Sequence, residues 1–196
     1  MTKTYDAAYF QRWYRGRDGA DRAALARKVA LAVATAEFFL QRPIRSVLDV
    51  GCGEAAWRAP LLKLRPKLRY QGVDSSEYAV ARYGRSRNIA LASFGQLEQL
   101  RFGAPVDLLV CSDVLHYVPT AELRRGLSGV GEHCQGVAFL DLYAREDAIA
   151  GDKRGFLVRR ASDYRRWFRA VGLRACAPQA YLSPSFEGQV AALEAF

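Results

Sequence analysis

Residues 44–57 read I-R-S-V-L-D-V-G-C-G-E-A-A-W, and no other stretch of the chain narrows the choice of fold as much. Val47, Leu48 and Val50 form a short apolar run that stops at a glycine, and small, helix-tolerant residues follow. A buried strand turning into a helix has this pattern. Gly51 and Gly53 lack a Cβ, so a ligand can lie against the main chain there, and the first N–H groups of the next helix point at it. The stretch therefore predicts a backbone cradle at the end of a buried strand.

Two ligand classes compete for such a cradle. Gly51-x-Gly53-x-x-Ala56 fits the loose dinucleotide fingerprint, which on its own discriminates little. Asp49 ends the strand two residues before the first glycine, where a carboxylate repels a pyrophosphate and helps to hold a cationic, ammonium-bearing ligand. Asp74 ends a second apolar run, R-Y-Q-G-V-D, twenty-one residues beyond Gly53, where an acid accepts hydrogen bonds from ribose hydroxyls. Both ligand classes use an acid at that place, so Asp49 tilts the choice.

V-L-D-V-G-C-G-E-A, Y-Q-G-V-D-S-S and V-D-L-L-V-C-S-D-V-L-H-Y-V, in that order, resemble the first, second and fourth motifs of the class I S-adenosylmethionine-dependent methyltransferases, over residues 44–142. The resemblance implies a doubly wound α/β fold. Its sheet has seven mostly parallel strands, with an antiparallel last strand, and an N-terminal helical cap covers it. It implies S-adenosylmethionine as cofactor. Asp49, Gly51, Cys52 and Gly53 would hold its methionine end, Asp74 and Ser75 its ribose, and Ser93, Phe94 and Gly95 its adenine, with Cys111 and Ser112 at the end of the fourth strand. Trp57 is either core or cofactor wall. Ala55 stands where many members have a third glycine, and Ser93 where many have an aspartate or asparagine.

The rest of the chain supplies the surroundings. Tyr5, Tyr9 and Trp13 recur at helical spacing, flanked by Phe10 and Tyr14. Amphipathic aromatics of this sort suit either a stripe docked on the core or an apolar site that needs hydroxyl and indole donors. In the resembling enzymes this position is a lid, which would make Tyr9, Trp13 and Tyr14 lid residues. A long helix capped by Asp18 or Asp21 then runs to about residue 41. The fourth strand delivers Ser112, Asp113, His116 and Tyr117 to the carboxyl edge of the sheet, where ligands of open α/β folds bind. His116 is therefore the candidate catalytic residue, as a base or substrate-orienting group, against a purely structural histidine; His133, in a polar turn, reads as surface. The fifth strand ends near Asp141 and Tyr143. A polar segment over residues 144–160 suits a substrate-facing loop. Ser162 or Asp163 caps a further helix, and residues 173–181 and 189–196 read as a closing hairpin that forms the sixth and seventh strands.

Bulk properties bound the function. The 196 residues fit one domain, with residues 1–42 as helical cap and 43–196 as core. No apolar run reaches the roughly 20 residues of a membrane span, and the N-terminus lacks the apolar stretch of a signal peptide, so the expected location is the cytoplasm. Four scattered cysteines without a C-x-x-C pair predict reduced thiols and no metal. The net charge of +9 favours acidic partners or reflects composition, since the basic residues are spread through the chain. No D-P-P-Y or N-P-P-Y follows the fourth strand, and Cys111 lacks the preceding proline of a cytosine nucleophile. Those absences weigh against nucleic acid and leave a small-molecule acceptor, methylated on O or N, as the expected substrate. The rivals are methylation of RNA or another macromolecule, a nicotinamide-dependent oxidoreductase, and a non-catalytic cofactor-binding partner protein of the same fold.

Overall fold

The computed structural model of the chain describes residues 5–14, 19–148 and 153–189. Seven strands, β1 (Ser46–Val50), β2 (Arg69–Asp74), β3 (Ile89–Leu91), β4 (Val106–Ser112), β5 (Cys134–Asp141), β6 (Arg174–Ala177) and β7 (Ala180–Leu182), form one sheet in the order β3-β2-β1-β4-β5-β7-β6. The first five run parallel, and β7 is antiparallel to both β5 and β6. Strand order reverses between β1 and β4, so their carboxyl ends form the switch point at which open α/β sheets bind ligands.

Successive side chains of a strand face opposite sides of the sheet, and here both sides are apolar. Leu48 and Val50 of β1 pack with Leu123, Leu127, Tyr164 and Phe168, from α5 (Thr120–His133) and α6 (Ala161–Ala170). Val47, on the other face, packs with Val29, Val33, Ala36 and Leu61, from α2 (Gly19–Leu40) and α3 (Arg58–Leu64). The inward stripe of α2 thus follows the expected spacing, and the sheet is wound on both sides. Helix α4 (Glu77–Arg87) starts at Ser76, whose Oγ accepts the Ala79 N–H at 3.1 Å, and stops at Asn88 in the left-handed conformation.

The opposite, amino edge of the sheet is tied by one acid. Asp107 at the start of β4 is buried and accepts two hydrogen bonds from the Arg42 guanidinium at 2.9 and 2.8 Å, one from the Arg45 N–H at 2.6 Å and one from Gln135 at 3.0 Å. Burial pushes its carboxyl up, but the Arg42 and Arg45 hydrogen bonds outweigh it and hold the group below the ordinary carboxylate range.

Several expected elements lie elsewhere. The run 173–181 is two strands rather than one, because Pro178 cannot donate to a ladder and Gln179 takes a left-handed φ of 59°, which turns the chain. A 3-10 turn at Pro184–Gln189 follows, and the strand expected over residues 189–196 lies, but for Gln189, outside the described residues. Asp18, offered as a cap for α2, also lies outside them, and Asp21 sits in the first turn of that helix. Helix α6 begins before Ser162 and Asp163, and neither caps it. His133 is not a surface residue: it is 3% exposed, with Nε2 3.2 Å from the Leu97 carbonyl. Its neighbours are polar only along the sequence, since the last turn of α5 faces the core.

Candidate active site

At the end of β1 the chain folds back on β2. The N–H groups of Gly51 and Cys52 both donate to the Val73 carbonyl, at 2.8 and 3.1 Å. Gly51 and Gly53 have φ values of 69° and 53°, a region glycine enters without strain. At Gly51 there is a second requirement, because an added Cβ would lie 2.4 Å from Cγ2 of Val114, in the loop after β4. Ala55 also has a left-handed φ, 57°, so this loop continues to Trp57 and helix α3 starts only at Arg58.

Two buried acids line the turn. Asp74 accepts the Gly53 N–H on Oδ2 at 2.7 Å and the Ser76 N–H on Oδ1 at 2.8 Å, so it clasps the loops after β1 and β2 together. Asp49 accepts the Tyr70 hydroxyl at 2.7 Å. Burial is the main cause that pushes the Asp49 carboxyl up to about 7; the Tyr70 bond opposes it and the Asp74 charge adds to it. Burial likewise raises Asp74, against the pull of the Ser76 and Gly53 N–H groups. A pair of desolvated carboxyls under a glycine turn repels a phosphate and favours a cation.

The ends of β4 and β5 carry the other half of the site. Ser112 Oγ donates to Asp141 Oδ2 at 2.7 Å, and the Lys28 ammonium of α2 binds the same oxygen. His116, 1% exposed, lies in a 3-10 turn at Leu115–Tyr117. Its ring is 4.3 Å from that of Tyr117, 5.7 Å from Tyr143 and 4.9 Å, nearly parallel, from Phe156. The Tyr143 N–H donates to Nδ1 at 3.3 Å, which leaves the proton of the neutral ring on Nε2, 3.2 Å from Asp113 Oδ1. Asp113 reaches that place through a left-handed φ of 63°.

A family model described as a methyltransferase domain matches residues 48–136, which span the cradle, both acids and the β4 edge. Over that stretch the chain is similar to a methyltransferase domain. Its sheet order is that of the class I methyltransferase fold, and solved structures agree on that fold. Magnesium protoporphyrin IX methyltransferase from Synechocystis PCC 6803, crystallised with S-adenosylhomocysteine, superposes with a TM-score of 0.64 at 18% identity, over 91% of this chain and 96% of that one. The sugar N-methyltransferase KedS8 from Streptoalloteichus gives 0.63 at 19%, over 93% and 94%. The [4+2]-cyclase SpnF gives 0.58 at 20%, over 83% and 62%, so the fold does not by itself fix the reaction. No curated sequence matches the chain.

The expected cofactor residues separate into two groups. Asp49, Gly51, Gly53, Asp74 and the exposed Ser75 come together at the turn. Trp57, 6% exposed, packs 5.4 Å from Phe139 in the core. Cys111 is fully buried, and Cys52 sits beneath the turn, where an added Cβ on Gly72 would come within 2.7 Å of its sulfur. Burial is the main cause that raises both thiols, so each is an inert filler. Phe94 is core as well, turned against α5, and Ser93 caps the 3-10 turn Phe94–Glu98 with its hydroxyl. Ser93 stays half-exposed there, while the buried Gly95 donates its N–H to Glu122 at 3.2 Å.

Of the expected lid, Phe10 rather than Tyr9 is the anchor. Phe10 is buried and stacks on Tyr78 of α4 at 5.7 Å, Tyr9 packs edge-on to it at 5.5 Å, and the Tyr5 carbonyl accepts the Ser76 hydroxyl at 2.6 Å. Helix α1 (Ala7–Tyr14) is thereby docked beside the Asp74 loop. The side chains of Trp13 and Tyr14 lie outside the described residues. The sequence reading missed Tyr70, Phe156 and Lys28. Tyr70 had a usable signal, since its position in β2 pairs it with Val47 of β1, two residues from Asp49.

Proposed function

We propose that this domain transfers a methyl group from S-adenosylmethionine to a small-molecule acceptor, on oxygen or nitrogen. The observation that carries the reading is the buried pair Asp49 and Asp74 beneath a glycine turn too tight for a side chain. That combination suits a ligand with a cationic amino acid end and a ribose, and suits a pyrophosphate badly. In the reading, Asp49 faces the ammonium end, the spare lone pairs of Asp74 take the ribose hydroxyls, Ser75 borders them, and the Ser93–Gly95 backbone borders the base.

When bound, the cofactor would supply a methyl carbon activated by its sulfonium, to which an acceptor lone pair would bond in line as the carbon–sulfur bond breaks, with neutral S-adenosylhomocysteine as the leaving group. The protein's share is alignment and exclusion of water, and holding two reactants in register is worth roughly 7–11 kcal/mol. The aromatic cluster of His116, Tyr117, Tyr143 and Phe156 gives the acceptor side an apolar wall. His116 acts there as a positioning residue. Its Nδ1 lone pair is occupied by the Tyr143 N–H, so it offers Nε2–H to Asp113 instead of taking a proton from substrate.

Two measurements test the reading. S-adenosylmethionine or S-adenosylhomocysteine at a hundred times Kd is expected to add about 2.7 kcal/mol and raise Tm by roughly 5–10 °C, whereas NAD leaves it unchanged. Labelled methyl incorporation into a panel of small hydroxyl and amine compounds, but not into mixed RNA, completes the assignment. An equal shift with NAD, or incorporation into RNA alone, overturns it.

A further inference from the structure

A cavity of about 420 Å³ opens where α5 and α6 begin, and none of its lining residues belongs to the cradle. Thr120 is the first residue of α5, Arg160 immediately precedes α6, and neither helix start is capped by the side chain at its cap position. Helix starts carry partial positive charge, which at α6 the Glu146 carboxylate meets in part by accepting the Ala161 N–H. Three guanidinium groups, those of Arg145, Arg159 and Arg160, add to it.

Arg159 is the unusual one. It is 8% exposed, yet among the described residues its hydrogen bonds all go to neutral oxygens: the Leu115 and Val118 carbonyls at 3.2 and 2.5 Å, the Tyr164 hydroxyl at 3.1 Å and the Thr120 hydroxyl at 3.3 Å. A buried charge without a counter-charge is costly, and proteins normally pair it. Two acids lie nearby and both are engaged: Asp163, itself on the cavity wall, binds Arg166 at 2.9 Å, and Glu146, whose charge faces Arg145 and Arg160, accepts the Ala161 N–H at 3.0 Å. Trp167, on the cavity wall, has the Arg159 and Arg124 guanidinium groups 5.9 and 5.8 Å from its ring, and its buried indole N–H has no partner among the described residues.

We propose that this cavity binds an oxyanion group of a small molecule, a carboxylate or a phosphate, with Arg159 as the buried counter-charge and Arg145 and Arg160 at the mouth. The carbonyls that Arg159 holds bracket His116, so the bound anion sits behind the turn that carries the acceptor-side aromatics. The inference rests on the proposed methyltransferase activity only in relating the anion to that acceptor side.

The test is calorimetric titration of the full chain with inorganic phosphate and, separately, with citrate, for the wild type and for the double variant R145A/R160A. Both substituted side chains lie at the surface, and S-adenosylhomocysteine affinity is measured on the same samples to verify the fold. The expected result is binding of at least one anion to the wild type, weakened about tenfold or more in the double variant, with unchanged S-adenosylhomocysteine affinity. Tighter phosphate binding assigns a phosphoryl group, and tighter citrate binding a carboxylate. Binding of neither anion below about 10 mM, or equal binding by both proteins, overturns the site. Loss of S-adenosylhomocysteine binding in the wild type counts against the proposed function and leaves the anion site standing.

Discussion

The two halves of the carboxyl edge are built in different ways. At the end of β1 and β2 the cradle is main chain: Gly51 and Cys52 bond to Val73, Asp74 clasps two backbone N–H groups, and the geometry follows from a dozen consecutive residues and one partner strand. At the end of β4 and β5 the surface is side chain. His116, Tyr143 and Phe156 come from three segments and meet only after the whole sheet has formed. A main-chain site serves one constant ligand, while a side-chain site can be altered residue by residue without disturbing the first. On this contrast, damage to the cradle removes cofactor binding, and damage to the aromatic edge changes turnover and acceptor choice.

The largest effect is expected at Gly51. G51A places a methyl in contact with Val114 and forces alanine into the left-handed region, so S-adenosylhomocysteine affinity should fall at least about a hundredfold and stability by about 2–4 kcal/mol, read by calorimetry and denaturant unfolding. Normal binding by this variant would break the idea that the cradle is backbone-made. D74A releases the Gly53 and Ser76 N–H groups and removes the carboxylate offered to the ligand; one charged hydrogen bond to the ligand is worth about 1.5–3 kcal/mol, so affinity should drop about ten- to a hundredfold.

On the aromatic side, H116F keeps a flat ring in the cluster but leaves the Tyr143 N–H unpaired. It should cost about 1–3 kcal/mol of stability and lower kcat about tenfold, with cofactor affinity nearly unchanged. A comparable loss of cofactor affinity would show that the halves are not separable.

The smallest effect is a pH dependence. Free Asp49 titrates near 7, and its charged form attracts an ammonium, so binding below that pH must expel a proton. S-adenosylhomocysteine affinity should therefore rise severalfold from pH 5.5 to about 7 and then level off. Because the folded carboxyl keeps a proton that the unfolded chain loses near pH 4, the stability of the ligand-free protein should fall as pH rises from about 4 to 7. D49N should flatten both profiles, and unchanged profiles in that variant would assign them to another group.

The same contrast explains what the sequence made legible. The strand, turn and acid pair were readable because their partners lie within thirty residues and because glycine and aspartate have few structural uses at a strand end. Trp57, which the sequence left as core or cofactor wall, and Phe94, expected beside the adenine, both place a large apolar ring where the core has space, here against Phe139 and α5. His133 was read as surface from polar neighbours, although helical periodicity turns it inward beside Val130. Arg159 gave no signal at all, since its neighbours in sequence are polar and its partners lie about forty residues away.

Helix α5 bears on this separation. Gly126 and Gly129 let the turn after β3 press so close that an added Cβ would lie 2.3 Å from the carbonyl oxygens of Phe94 and Leu97, and Glu122 and His133 bind the same turn from either side. That turn has only the three residues of β3 behind it, so α5 carries it. The first residue of the same helix forms part of the arginine-lined cavity. Helix α5 is thus a beam with a load at each point of contact, and a tilt imposed where it begins reaches the Ser93–Gly95 edge through rigid rotation, without any rearrangement of the sheet between them.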